Sequence, residues 1–367
     1  PIGPVVVFAA SNFPLAFSTA GGDTASALAG GNPVIVKAHS AHPGTSALVG
    51  SAIMEAAQKT NMPDGVFSLL HGSGKVVGQS LISHSGVKAA GFTGSQKAGR
   101  ILFDLANQRK DPIPFFAEMG SVNPVLLLPN SLNIKTAEML STSITMGAGQ
   151  FCTNPGLLIT LENDLLEKFI FDLVSALEEI DPGVMLTEKI CKSYYNDLDL
   201  SLSNQDVKVE SKLTYNNGLN NAASVLVSVT GESFLKNPNL ADEVFGPYSM
   251  IVKCKNEDEL NDVLSSLNGQ LTGTVFGSKE EIHSFTKSIH TLEKRVGRLI
   301  FNGVPTGVEV SSSMQHGGPY PASSDSRFTS VGTMAIKRFV RPIAFQSWPQ
   351  NELPDELKND NPLNIWR

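Results

Sequence analysis

Four short apolar runs, separated by stretches with helical spacing, dominate residues 1–118. They are Pro4-Val5-Val6-Val7-Phe8, Pro33-Val34-Ile35-Val36-Lys37, Val66-Phe67-Ser68-Leu69-Leu70 and Val87-Lys88-Ala89-Ala90-Gly91-Phe92. Each is bounded by Gly, Pro or polar residues, the pattern of a strand buried on both faces. Between them, 43–59, 75–83 and 95–109 carry helix-compatible spacing. Strand–helix alternation builds βαβ units, and so a parallel sheet with helices on both faces.

The alternation resumes after residue 120. Strands are expected near 124–128, 157–161, 225–229, 248–253, 272–277 and 297–302, and helices near 133–146, 163–179, 256–267 and 279–291. The Asn-, Ser- and Asp-rich segment 192–224 is the least regular part. Residues 303–334 form a Gly/Ser/Pro-rich loop, and 335–346 (AIKRFVRPIAFQ) is expected to be a strand of mixed charge. A chain of 367 residues exceeds one ordinary core, so two domains are expected.

A net charge of −7 without any Lys/Arg-rich run argues against a nucleic-acid surface. No signal peptide or long apolar span points to a membrane. The three cysteines, Cys152, Cys191 and Cys254, show no C-x-x-C or Cys/His zinc spacing, so neither a disulfide framework nor a metal site is expected. Sparse thiols point to a reducing, cytoplasmic compartment. The chain opens at Pro1 and enters a strand at once, which suggests a fragment of a longer protein.

Cys152, in GAGQFCTNPG, is either a packed thiol or a nucleophile. A nucleophile needs a base, an oxyanion site and access. Glu118, in PFFAEMGSVNP, ends an apolar strand, where open α/β sheets form ligand crevices. It is either a solvated carboxylate or a partly desolvated base. Asn12, in AASNFPL, is either a turn residue before Pro14 or an oxyanion donor, with the Cys152 N–H as the second donor. In FTGSQKAGR, Gly94 and Ser95 open a helix that contains Gly99. This is an ordinary capped turn or a phosphate cradle. His39 and His42 lack a diagnostic metal spacing, His71 and His316 read as turn residues, and Cys191 and Cys254 as structural thiols. Arg100 and Arg327 could meet a substrate carboxylate, but nothing in the sequence places them at a site.

Taken in order, these pieces resemble the aldehyde dehydrogenase superfamily. The matches are Asn12 in S-N-F-P, Lys37 in V-I-V-K, F-T-G-S-x-x-x-G from Phe92, Glu118 in E-M-G, and G-Q-F-C ending at Cys152. E-V-F-G-P from Glu243, L-T-G-T-V-F from Leu271 and G-R-L-I-F-N-G from Gly297 follow. The resemblance implies an α/β fold with a Rossmann-like cofactor domain over 1–119, N-terminally truncated. A catalytic α/β domain over 120–315 follows, then a loop, an oligomerisation strand and a tail over 316–367. It implies Cys152 as nucleophile, Glu118 as base for thioester hydrolysis, and Asn12 with the Cys152 N–H at the oxyanion. Glu243 and Phe245 would meet the nicotinamide ribose, with Gly120 beside them. Lys37 would bind the adenosine ribose, and Gly94, Ser95 and Gly99 the pyrophosphate.

Ser40 stands where NAD-preferring members commonly carry an acidic residue, and Lys75 falls where a cation could pair with a 2′-phosphate. NADP is therefore expected to be accepted or preferred over NAD, with no metal. Many members read E-L-G-G-K where this chain has Glu118-Met119-Gly120-Ser121-Val122. The phrases GQFCTNPG, GGDTASALAGGNPVIVKAHSAHPG and HGGPYPASSDSRFTSVG resemble the α-ketoglutaric semialdehyde dehydrogenase subgroup and a related NADP-dependent fatty-aldehyde dehydrogenase. The resemblance implies a small-molecule aldehyde as substrate and a homodimer or homotetramer. A fatty or broad-specificity enzyme is the alternative within the class. A non-catalytic structural relative or inactive fragment is the alternative outside it. A thiol–disulfide protein fails for want of a resolving cysteine.

Overall fold

The computed structural model describes residues 1–212, 218–307 and 309–366. The first apolar runs form strands β1 (Val5–Phe8), β2 (Val34–Lys37), β3 (Phe67–Leu70) and β4 (Ala89–Thr93), joined by β5 (Phe115–Glu118). All pair in parallel, in the order β3-β2-β1-β4-β5. Alternate residues serve opposite faces of the pleat. Val6, Phe8, Ala90 and Phe92 pack on one side, and Val5, Val7, Val34 and Val36 on the other.

Helices α1 (Gly22–Ala29), α2 (Pro43–Lys59), α3 (Gln79–Ser83) and α4 (Gln96–Gln108) make the crossovers. Pro43 opens α2, where its missing N–H costs nothing. The Ser95 hydroxyl caps α4 by accepting from the Ala98 N–H. This is a doubly wound sheet, and the expected partial cofactor unit includes its switch point at β1 and β4.

The second sheet contains β6 (Val125–Leu127) and β7 (Leu157–Leu161). A short antiparallel pair, β8 (Gly183–Val184) with β10 (Asn221–Ala222), lies apart from it. β9 (Lys208–Lys212), β11 (Val225–Thr230), β12 (Tyr248–Cys254), β13 (Gln270–Phe276) and β14 (Val296–Phe301) complete it. The order is β14-β13-β6-β7-β12-β11-β9, and only the edge strand β9 runs antiparallel. Helices α5 (Ile134–Thr145) and α6 (Leu166–Glu178) cover one face. Among the described residues no helix is long and apolar enough to cross a membrane.

Two expectations fail here. Segment 192–224 was expected to be irregular, yet α7 (Glu188–Leu202) runs through its start. Its Ser, Asn and Asp residues lower helix propensity, but Cys191, Tyr194 and Leu198 form a buried stripe that overrides it. Residues 213–217 of that segment, and Val308 in the later loop, lie outside the described residues. The strand expected over 335–346 is instead a 3₁₀ turn at Thr333–Phe339, followed by exposed chain without regular structure. Ala335, Arg338 and Phe339 are buried at helical rather than alternating spacing, and Pro342 withholds a ladder N–H.

Residues 316–339 return from the second sheet to the first. Met119 N–H donates to Ala322 O at 2.8 Å, and Ser324 Oγ meets the backbone of Phe115 and Ala117. Arg338 pairs with Asp23 of α1 at 2.6 Å, and Phe339 sits fully buried among Val5, Val7 and Ala27. Phe339→Ala is therefore expected to cost about 3–5 kcal/mol of stability. Urea unfolding would measure it, and an unchanged midpoint would show that the segment merely drapes over the sheet.

Candidate active site

The carboxyl edge of the first sheet faces the amino edge of the second. Asn12 follows β1, Lys37 ends β2, Ser95 follows β4 and Glu118 ends β5. From the other side, Cys152 precedes β7 and Glu243 precedes the neighbouring β12. Residues 119–124 lead directly from β5 to β6, which fixes the two edges against each other.

The thiol sits on a loop bent by three consecutive left-handed residues: Gly147 (φ 57°), Ala148 (φ 56°) and Gly149 (φ 67°). A side chain on Gly149 would lie 2.1 Å from the Gly246 carbonyl carbon, so only glycine fits. Asn123 holds the other end. Its amide donates to Cys152 O and Asn154 O, both at 2.9 Å, and its Oδ1 accepts from Thr272 Oγ1 at 2.9 Å.

Around the thiol stand Glu118 and His316, one ligating atom of each lying within 4.8 Å of the others. Cys152 Sγ is 3.8 Å from His316 Nε2, which is 3.2 Å from Glu118 Oε1. The Ser330 hydroxyl donates to Glu118 Oε2. Burial alone would raise the Glu118 pKa. The His316 charge and hydrogen bond, the Ser330 bond and the Arg338 charge outweigh it and hold the carboxyl below its ordinary range. Burial pushes the Cys152 thiol well up, helped by the charges of Glu118 and Glu243. Arg298, on β14, is partly buried, which lowers its pKa, and it couples to the Cys152 thiol.

His316 was expected to be a turn residue. The structure instead puts it between thiol and carboxylate, 1 % exposed. Nothing local in H-G-G-P announced this, because the contact spans 164 positions. Asn12 is where the sequence placed it. Its Nδ2 donates to Gln150 O at 2.8 Å, which leaves a second amide hydrogen beside the Cys152 loop. Phe13 meets Phe151 edge-on at 5.1 Å, and Phe17 stacks over His316 at 6.5 Å, so an aromatic wall flanks the thiol.

A shallow cleft on the other side is lined by Phe151, Glu243, Phe245 and Tyr248 among others. Glu243 accepts from the Ser121 N–H, and a side chain on Gly120 would strike its carboxylate. Burial raises the Glu243 pKa to about 7. Lys37 is 7 % exposed, and no hydrogen bond or ion pair reaches its ammonium among the described residues. An unpaired lysine at the end of β2, the strand beside β1, suits a ribose hydroxyl, so the residues present fit a dinucleotide.

Ser40 and Lys75 are both exposed, on the turns after the neighbouring strands β2 and β3. Gly94 and the Ser95 cap stand at the start of α4, and Gly99 is buried against Met119. His42 bridges Ala10 O and Ser46 Oγ, and burial with nearby Lys37 lowers the His39 pKa to about 4. Arg327 forks onto Asp325 and Arg100 reaches Asp104 and Tyr320, so the structure brings neither to the thiol.

The aldehyde dehydrogenase family profile matches residues 1–334. The chain is 48 % identical over its whole length to alpha-ketoglutaric semialdehyde dehydrogenase 2 of Azospirillum brasilense, covering 70 % of that protein. It is 45 % identical, with the same coverage, to alpha-ketoglutaric semialdehyde dehydrogenase of Acinetobacter baylyi. In fold it is similar to the glyceraldehyde-3-phosphate dehydrogenase GapN of Methanocaldococcus jannaschii in complex with NADP. The TM-score is 0.77 at 22 % identity, over 92 % of this chain and 71 % of that one. Proline utilization A of Bdellovibrio bacteriovorus matches with a TM-score of 0.77 at 24 % identity, over 92 % of this chain but only 35 % of the larger protein. The profile match and these likenesses agree, and the chain belongs to the aldehyde dehydrogenase family.

Proposed function

We propose that this chain oxidises α-ketoglutaric semialdehyde to 2-oxoglutarate, with NADP preferred over NAD. The substrate rests on the names of the two relatives of 45–48 % identity. The chemistry rests on one observation: a thiol 3.8 Å from an imidazole that contacts a carboxylate held as an anion. The cofactor preference rests on neutral Ser40 after β2 and cationic Lys75 after the neighbouring edge strand β3.

Cys152 loses its proton toward His316 and Glu118, and the thiolate attacks the aldehyde carbon. The Asn12 amide and the Cys152 N–H donate to the oxygen as it gains charge. A nicotinamide supplies the hydride acceptor, and the thiohemiacetal becomes a thioester. Glu118 then takes a proton from the water that cleaves the thioester, which frees the thiol and the carboxylate product. Glu243 and Phe245, with Gly120 beneath, would hold the nicotinamide ribose. Lys37 would take the adenosine ribose, Lys75 and Ser40 the 2′-phosphate, and Gly94, Ser95 and Gly99 the pyrophosphate.

The unit 1–119 is read as the cofactor domain and 120–315 as the catalytic one, with 316–367 beyond it. The working form is read as a cytoplasmic homodimer or homotetramer. A fatty or broad-specificity dehydrogenase is the second reading, and a non-catalytic relative the third. The Cys152–His316–Glu118 geometry favours catalysis over the last.

Three outcomes test the reading. In a steady-state panel, α-ketoglutaric semialdehyde should outperform succinic semialdehyde and long-chain aldehydes, and NADP should outperform NAD. A preference for long aliphatic aldehydes would favour the second reading. Cys152→Ala should abolish turnover, whereas Glu118→Gln should keep a burst of reduced cofactor but slow the steady state about 10²-fold or more. Because burial and two carboxylates keep the thiol protonated, alkylation of Cys152 in the cofactor-free protein should climb steadily as pH rises from 7 to 9. A plateau below pH 8 would mean that the thiolate is already formed.

A further inference from the structure

The atoms that face each other at the thiol also form a ligand set. Cys152 Sγ, His316 Nε2 and a Glu118 oxygen come from three separate segments and converge within 4.8 Å. Sulfur, imidazole and carboxylate are zinc donors, and three protein ligands with an open fourth position is the common arrangement of an accessible zinc site. Zinc bonds of about 2.0–2.3 Å set neighbouring ligand atoms of a tetrahedron about 3.3–3.6 Å apart. Two of the edges here are 3.2 Å (His316 Nε2 to Glu118 Oε1) and 3.8 Å (His316 Nε2 to Cys152 Sγ). Shifts of tenths of an ångström would bring both onto the tetrahedral value.

We propose that Cys152, His316 and Glu118 bind one Zn²⁺ ion, and that the bound ion switches the enzyme off. The metal occupies the sulfur lone pair that would attack the aldehyde and the carboxylate that would take the water proton. The binding claim stands on the geometry alone. The inhibition claim rests on reading Cys152 as nucleophile and Glu118 as base.

The surroundings suit a divalent cation. Glu118 and Glu243 both place negative charge against the thiol. Arg298 lies near enough to couple to the thiol; its two terminal nitrogens donate to the carbonyls of Gly307 and Pro305, and it keeps its charge, which the three ligands must outweigh. Arg338 faces Glu118 but is paired with Asp23. The Ser330 hydroxyl holds Glu118 Oε2, so Oε1 is the oxygen turned to the ring. Such outer hydrogen bonds orient first ligands. Phe17, stacked 23° from the His316 plane, limits ring rotation. His316 Nδ1, which zinc ligation through Nε2 would leave protonated, is buried without a hydrogen-bond partner among the described residues.

The test uses the full chain, reduced and free of added thiol. Zn²⁺ titrated against a chromophoric chelator should bind one ion per chain, and Cys152→Ser and His316→Ala should each weaken it at least about 100-fold. Co²⁺ on the unmodified chain should give a sulfur-to-metal charge-transfer band, which needs no variant to fold. Aldehyde oxidation should fall as the site fills and return with EDTA. Zinc affinity unchanged in His316→Ala, or a cobalt spectrum without the sulfur band, would overturn the site. Turnover indifferent to a filled site would overturn the switch. A chain that binds Zn²⁺ in this way yet oxidises no aldehyde would sink the dehydrogenase reading and leave the metal site standing.

Discussion

A carboxylate kept charged inside the protein is the constraint from which the rest of the site follows. Glu118 is 4 % exposed, and burial by itself would neutralise it. What keeps the charge is a set of partners from outside its own sheet: the His316 ring, the Ser330 hydroxyl and the Arg338 guanidinium. All three belong to the return segment. The anchoring of that segment, through Asp23 and the buried Phe339, is thereby coupled to the protonation state of a group at the thiol. Packing far from the site and electrostatics within it are one problem for this chain.

The thiol has the opposite environment. Burial, and the negative charge that the return segment preserves on Glu118, make Cys152 a reluctant acid. The two groups cannot both be activated at rest. Each needs positive charge or proton transfer nearby, which Arg298 and His316 supply only in part. A resting thiol of this kind is a poor target for stray electrophiles, since the thiolate is the reactive form.

The layers of the fold were legible because buried parallel strands announce themselves as short apolar runs between turn residues. β1 to β4 and β11 to β13 sit where those runs are. Cys152, Glu118 and Asn12 were singled out because each lies in a short phrase near a strand end; the structure sets Glu118 beside the Cys152 thiol and bonds Asn12 to Gln150 of the same loop. α7 was hidden by a polar composition whose buried stripe only a tertiary partner reveals. His316 was hidden for a different reason. Its role comes from a contact across most of the chain, and no local spacing encodes where a Gly-rich loop will land. The strand expected at 335–346 failed because mixed apolar and charged residues suit either period, and burial of Phe339 decided for the helical one.

The wide sequence separation of these partners also bears on how the protein is made. A growing chain delivers the first sheet, then Glu118, then Cys152, long before residue 316 leaves the ribosome. Until the last stretch closes back through Ala322, Ser324 and Phe339, Glu118 lacks both hydrogen-bond partners and the thiol has no imidazole beside it. Closing so long a loop is slow but adds little entropy cost per extra residue. A nascent or nicked polypeptide ending before that stretch would thus carry Cys152 and Glu118 without the residues that keep Glu118 charged.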